Sequence, residues 1–140
     1  IMVYGFYVIA HGHLSPGGGF QGGAIVASAF ALLLVTYGTN QIQNFLSKDL
    51  FSLIESTGLV LFNAFGFLGI GATYFYNCVS NSGGLFGSPT VIGINSGNLN
   101  TGGTIALMNM AVGLEVLAAF GVIIMTMSAA AEIINKKEKP

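Results

Sequence analysis

The sequence predicts an all-α, polytopic membrane protein of about four transmembrane helices, with a glycine-rich break between the first and the second. Two observations predict it. The composition is 53% hydrophobic against 6% charged, whereas a soluble domain carries about a quarter charged residues to keep its surface wet. The apolar residues also fall into four stretches, near 1–14, 24–37, 51–76 and 104–131. A helix needs about 20 mostly apolar residues to cross a hydrocarbon layer of roughly 30 Å, so 140 residues hold four spans with short connections in one membrane domain, 1–140.

Taken in order, residues 1–14 are apolar and aromatic but make only about 21 Å of helix. Either further residues precede Ile1 or this helix stops inside the membrane. The opening residues carry no pattern of a removable signal peptide. Ser15-Pro16-Gly17-Gly18-Gly19-Phe20-Gln21-Gly22-Gly23 follows. Proline rigidity and the entropy of five glycines predict a sharp turn there in place of regular helix, with Pro16, Gly17, Gly18, Gly19, Gly22 and Gly23 as its structural residues.

The second span, 24–37, has Ala24/Ser28 and Ala27/Ala31 each four apart. That spacing of small residues lets helix backbones approach closely in lipid. From Gly38 to Leu50 the chain turns polar and amphipathic, as an interfacial connection does. The third span, 51–76, contains Gly58, Gly66, Gly69 and Gly71, and Tyr74 and Tyr76 fall where an aromatic belt would lie. Asn77 to Gly103 is rich in Gly, Asn and Ser and has no charged residue, a long loop. The fourth span, 104–131, ends in Asn135-Lys136-Lys137-Glu138-Lys139-Pro140. Lys48 lies in the second connection, on the same side as that tail, so the positive-inside rule puts both chain ends in the cytoplasm.

The charge pattern removes whole classes of function. Four lysines, no arginine and a net charge of −1 leave no basic surface for nucleic acid. The single cysteine, Cys78, excludes an internal disulfide and a cysteine-based metal cluster within the chain. Gly17-Gly18-Gly19-Phe20-Gln21-Gly22 has the glycine spacing of a dinucleotide-binding loop. That motif needs a preceding strand and a distant acidic ribose ligand, and neither is present. No Ser-His-Asp set, paired-carboxylate cleft or phosphate-cradling lysine turn occurs, so no autonomous catalysis is expected.

Chemistry is therefore sought among a few polar residues in apolar surroundings. Glu115 lies near the middle of the fourth span, between Ala111-Val112-Gly113-Leu114 and Val116-Leu117-Ala118-Ala119. A carboxylate there is costly unless paired or protonated, and such a group is suited to exchange a proton or to coordinate Na⁺. The alternative is a hydrogen-bonded structural carboxylate. His11-Gly12-His13 stands where the first helix meets the glycine turn. Imidazole exchanges protons near neutral pH, so the pair is either an ion relay or a polar cap on the turn. Two histidines at i and i+2 do not share a helix face and have no acidic neighbour, which argues against a metal. Glu55, at the start of the third span, is a further candidate. Glu132 is read as a solvated charge. Asn63 and Asn109, within apolar helices, are read as interhelical hydrogen-bond glue. The broken helix at the glycine turn either lines an ion cavity or packs two helices tightly.

Gly12-His13-Leu14-Ser15-Pro16-Gly17-Gly18-Gly19-Phe20-Gln21-Gly22-Gly23 resembles the signature of the MnhB (MrpB) subunit family of multisubunit Na⁺/H⁺ antiporters. Asn109-Met110-Ala111-Val112-Gly113-Leu114-Glu115-Val116 resembles that family's last-helix pattern. The resemblance implies a small accessory subunit in the cell membrane, assembled with other membrane subunits of an Mrp-type antiporter or of a membrane-bound hydrogenase complex. Na⁺ and H⁺ are then the transported ions, and no cofactor is expected in this chain. Two roles follow. In one, Glu115, Glu55, His11 and His13 contribute to a Na⁺ or H⁺ pathway at subunit interfaces. In the other, the subunit is purely structural and its glycine turn locks neighbouring helices together.

Overall fold

The computed structural model describes residues 1–39, 41–42, 46–89 and 98–137. They form four principal helices: α1 (Met2–Ala10), α2 (Gly18–Tyr37), α3 (Lys48–Phe67) and α4 (Thr104–Lys137). A short 3₁₀ turn, Leu99–Thr101, precedes the last. No strand occurs among the described residues. α2, α3 and α4 are long and apolar enough to cross a bilayer. The first predicted span is realised as a helix of nine residues, about 14 Å long.

Close backbone contact organises three of the helices. α1 runs antiparallel to α2, where a Cβ on Gly5 would stand 2.5 Å from Val26 Cγ2 and one on Gly22 would stand 2.9 Å from the Gly5 carbonyl. α2 runs parallel to α4. A Cβ on Gly19 would overlap the Asn109 carbonyl, and one on Gly23 would stand 2.7 Å from the Gly113 carbonyl. At the other end of this pair the Thr39 and Ser128 hydroxyls bond to each other.

α3 lies antiparallel to α4, with Phe51 against Gly121 and Gly58 against Ala111 and Glu115. Side chains take over where glycines are absent. Phe30, Leu34, Phe51, Ala118 and Met125 form a buried cluster joining α2, α3 and α4, and the Phe30 and Phe51 rings meet at 5.0 Å and 60°, a tilted contact of the kind aromatic pairs favour.

The glycine segment departs from expectation. The break is confined to residues 11–17, and Gly18, Gly19, Gly22 and Gly23 lie inside α2 as buried residues. A glycine costs a helix about 1 kcal/mol relative to alanine. Here that cost is offset by the backbone approach that only glycine permits on two faces at once. Gly17 still makes the turn, capping α2 in a left-handed conformation at φ 92, which glycine adopts without steric penalty.

The third span also differs from the predicted 51–76. Its helix begins at Lys48 because the Ser47 hydroxyl accepts the Leu50 N–H at 3.2 Å and Asp49 sits in the first turn, both favourable at a helix N-terminus. It ends at Phe67, where Gly69 lets the chain double back. The Phe75 N–H bonds to the Gly66 carbonyl at 3.0 Å, and Tyr74 packs edge-on against Phe67 with centroids 5.1 Å apart. Tyr74 and Tyr76 thus belong to a return segment.

In the long loop, Asn77 has a defined task. Its Oδ1 accepts the Thr104 N–H at 2.8 Å and the Thr104 hydroxyl at 2.9 Å. Its Nδ2 donates to the Gly102 carbonyl at 3.3 Å. A residue 27 positions away thereby caps the start of α4. Residues 90–97 of the long loop, parts of the 38–50 connection and the tail beyond Lys137 fall outside the described residues; Ile42 and Leu46 from that connection pack against the buried cluster.

Candidate functional site

The polar residues singled out above occupy two places. The first is the junction of α1, α2 and α4. His11 closes α1, its Nδ1 donating to the Tyr7 carbonyl at 3.0 Å and its ring stacked on Tyr7 at 4.1 Å. Because a carbonyl only accepts, Nδ1 carries the hydrogen in this bond. His11 lines a cavity of about 390 Å³ together with Tyr4, Tyr7, Ser15, Pro16 and Gln21.

His13 turns elsewhere. Its Nε2 donates to the Asn98 carbonyl at 3.0 Å, and its ring lies over Gly102, where an added Cβ would stand 3.0 Å from Cγ. Its Nδ1 is buried with no partner among the described residues. The two imidazoles therefore serve different neighbours, His11 its own helix and His13 the approach to α4. Between them, a Cβ on Gly12 would stand 3.0 Å from the Gly18 and Gly19 backbone.

Asn109 of α4 completes this junction. Its Oδ1 accepts the Gly19 N–H at 3.4 Å, supplying a partner for one of the free amides in the first turn of α2. The interhelical bonding read for Asn109 is thus observed, and it joins the two motifs that carry the family resemblance.

The second place is the seam between α3 and α4. Glu115 is half-buried and lies eleven residues past Thr104, about 17 Å along α4 and so near the middle of a 30 Å layer. A Cβ on Gly58 would stand 2.9 Å from the Glu115 nitrogen and 3.0 Å from its Cβ. Glu55, also half-buried, precedes Gly58 by three residues, which places it on the same flank of α3. One glycine thus brings α3 against the helix that carries Glu115 and sets Glu55 one turn away.

The structure places Glu55 and Glu115 on two helices that meet at Gly58, and the histidines at the turn, without merging the four into one cluster. His13 stands at the approach to α4, and Glu115 lies deep along that helix. Glu132 and the tail lysines are outside the described side chains. Gly58 and Asn77 escaped sequence reasoning as site-building residues. Gly58 looked like one of several glycines in its span, and the cap from Asn77 has no local spacing signature.

The family model described as a domain related to the MnhB subunit of Na⁺/H⁺ antiporter matches residues 1–131. The chain is 35% identical over 142 residues to an uncharacterized protein of Methanocaldococcus jannaschii, covering 99% of this chain and 51% of that protein. It is 41% identical over 60 residues to a Staphylococcus epidermidis protein named for antiporter subunit mnhB2, 43% of each chain. It is 38% identical over 61 residues to a Na⁺/H⁺ antiporter subunit of Bacillus subtilis, 44% of this chain and 42% of that one. The chain spans about half the length of the curated relatives it matches. Three helices able to cross a bilayer, in a chain similar to antiporter subunits, make this a multi-pass membrane protein.

Proposed function

Because the chain belongs to the family of domains related to the MnhB subunit of Na⁺/H⁺ antiporters, we propose that it is a non-catalytic membrane subunit of a multisubunit Na⁺/H⁺ antiporter module. In this reading it contributes to a Na⁺ or H⁺ pathway where it meets neighbouring subunits. The observation that carries the reading is Glu115, a half-buried acidic residue deep in an apolar helix whose backbone nitrogen and Cβ lie against Gly58.

No lysine or arginine of this chain stands between residues 49 and 135. The charge on Glu115 is therefore met by a proton, by a bound cation or by a group from another subunit. Glu55 adds a second carboxylate on the same seam. His11 and His13 serve as proton-exchanging groups at the α1/α2 turn. The transported ions are Na⁺ and H⁺, the chain needs no cofactor of its own, and the lysines at 48 and in the tail face the cytoplasm together with both chain ends. The host is a free-standing antiporter or a membrane-bound hydrogenase-type complex.

A second reading, a subunit that serves assembly alone, draws support from the glycine contacts between α2 and α4. The two are separated by Na⁺-dependent dissipation of a pH gradient in vesicles carrying the whole complex, with wild type and Glu115→Gln matched for subunit level. Lost exchange in an intact complex is the expected result. Unchanged exchange would assign the chain to assembly.

A further inference from the structure

The geometry points to the outer flank of α3 as the surface on which a transmembrane helix of another subunit packs. Ser52, Ser56 and Asn63 are all exposed and fall at i, i+4 and i+11, a single stripe along the helix. The Ser56 hydroxyl bonds to the Ser52 carbonyl at 2.9 Å, so that group is satisfied within its own helix. Asn63 is different. One of its amide hydrogens goes to the Leu59 carbonyl at 2.9 Å, which leaves the second hydrogen and Oδ1 without a partner among the described residues.

Asn63 lies fifteen residues past Lys48, about 22 Å along a helix of about 30 Å, still inside the apolar layer. Hydrocarbon offers a free amide no partner, so facing lipid is costly. A neighbouring helix with its own hydroxyl or amide at that depth supplies one. The small serines let that helix come close, and Asn63 sets its register. Glu55 lies three residues after Ser52 and beside Ser56, at the edge of the stripe, so a helix docked here also covers the outer side of that carboxylate. A second copy of this chain and the lipid itself are the competing occupants. The inference rests on reading the chain as one subunit among several, and it is independent of any ion passing Glu115.

The test uses the intact complex with a photo-crosslinking residue at position 56, alongside the Asn63→Leu variant. The expected outcome is an adduct with a different subunit, together with a several-fold loss of co-purifying partners in Asn63→Leu at unchanged chain level. Adducts to lipid alone or to a second copy would overturn the proposal, as would unchanged or improved partner recovery in Asn63→Leu. A wild-type chain that co-purifies with no other subunit would remove the multisubunit reading itself, and this proposal with it.

Discussion

The α1/α2/α4 junction and α3 use the same residue types toward different ends. At the junction, glycines on α1 and α2 bring three backbones together, and half of the apolar stretch of α2 is buried within the chain. Along α3, Gly58 alone makes comparable backbone contact with α4, and only 17% of the apolar stretch is buried. In lipid, exposed apolar surface supplies little drive for helices to associate, so packing and hydrogen bonds decide which surfaces meet. The junction buries the glycine face of α2 within this chain. α3 is held on one side and left open on the other, and it carries Glu55 near its contact with the helix of Glu115.

That contrast is easiest to break at the junction. Replacing Gly19 with Leu drives a side chain into the Asn109 carbonyl, and overpacking of this severity costs about 3 kcal/mol or more. The expected result is loss of folded chain from the solubilised complex, measured by size-exclusion chromatography or native gel. Gly58→Ala is milder, because its Cβ would stand 2.9 Å from two α4 backbone atoms. It should destabilise by about 1–3 kcal/mol and loosen α3 while leaving α1 and α2 in place, seen as faster hydrogen exchange confined to residues 48–67.

Asn77→Ala removes the cap from Thr104, which is 1% exposed. A loss of about 1–2 kcal/mol is expected, read as a lower Tm in detergent. Val35→Ala, on a residue 80% exposed, should change stability by less than about 0.5 kcal/mol in the same assay. A large loss there would show that the outward face of α2 is as engaged as its inner one.

The sequence displays some of this architecture and hides the rest for physical reasons. Apolar run length reveals the spans, and the depth of Glu115 follows from its place in the last run. The start of α2 is hidden because helix propensity argues against Gly18 to Gly23, whereas tertiary contact with Ile9, Asn109 and Gly113 overrides it. The end of α3 is hidden because Gly66 and Gly69 read as packing residues, yet one accepts the returning Phe75 N–H and the other admits Tyr76. The seam between Glu55 and Glu115 joins residues 60 positions apart. Only the antiparallel register of α3 and α4, set by Phe51 on Gly121 and Gly58 on Glu115, brings their positions to neighbouring turns.

The central claim is that these two carboxylates act on one ion pathway. The most direct test is pH-gradient-driven ²²Na⁺ uptake into proteoliposomes of the whole complex, comparing Glu55→Gln, Glu115→Gln and the double variant at equal subunit content. Uptake should fall at least about tenfold in Glu115→Gln, the scale of about 1.4 kcal/mol in a rate-limiting step. The double variant should be no worse than its more impaired parent, as expected for residues that act as a unit. Wild-type uptake in all three would contradict the account.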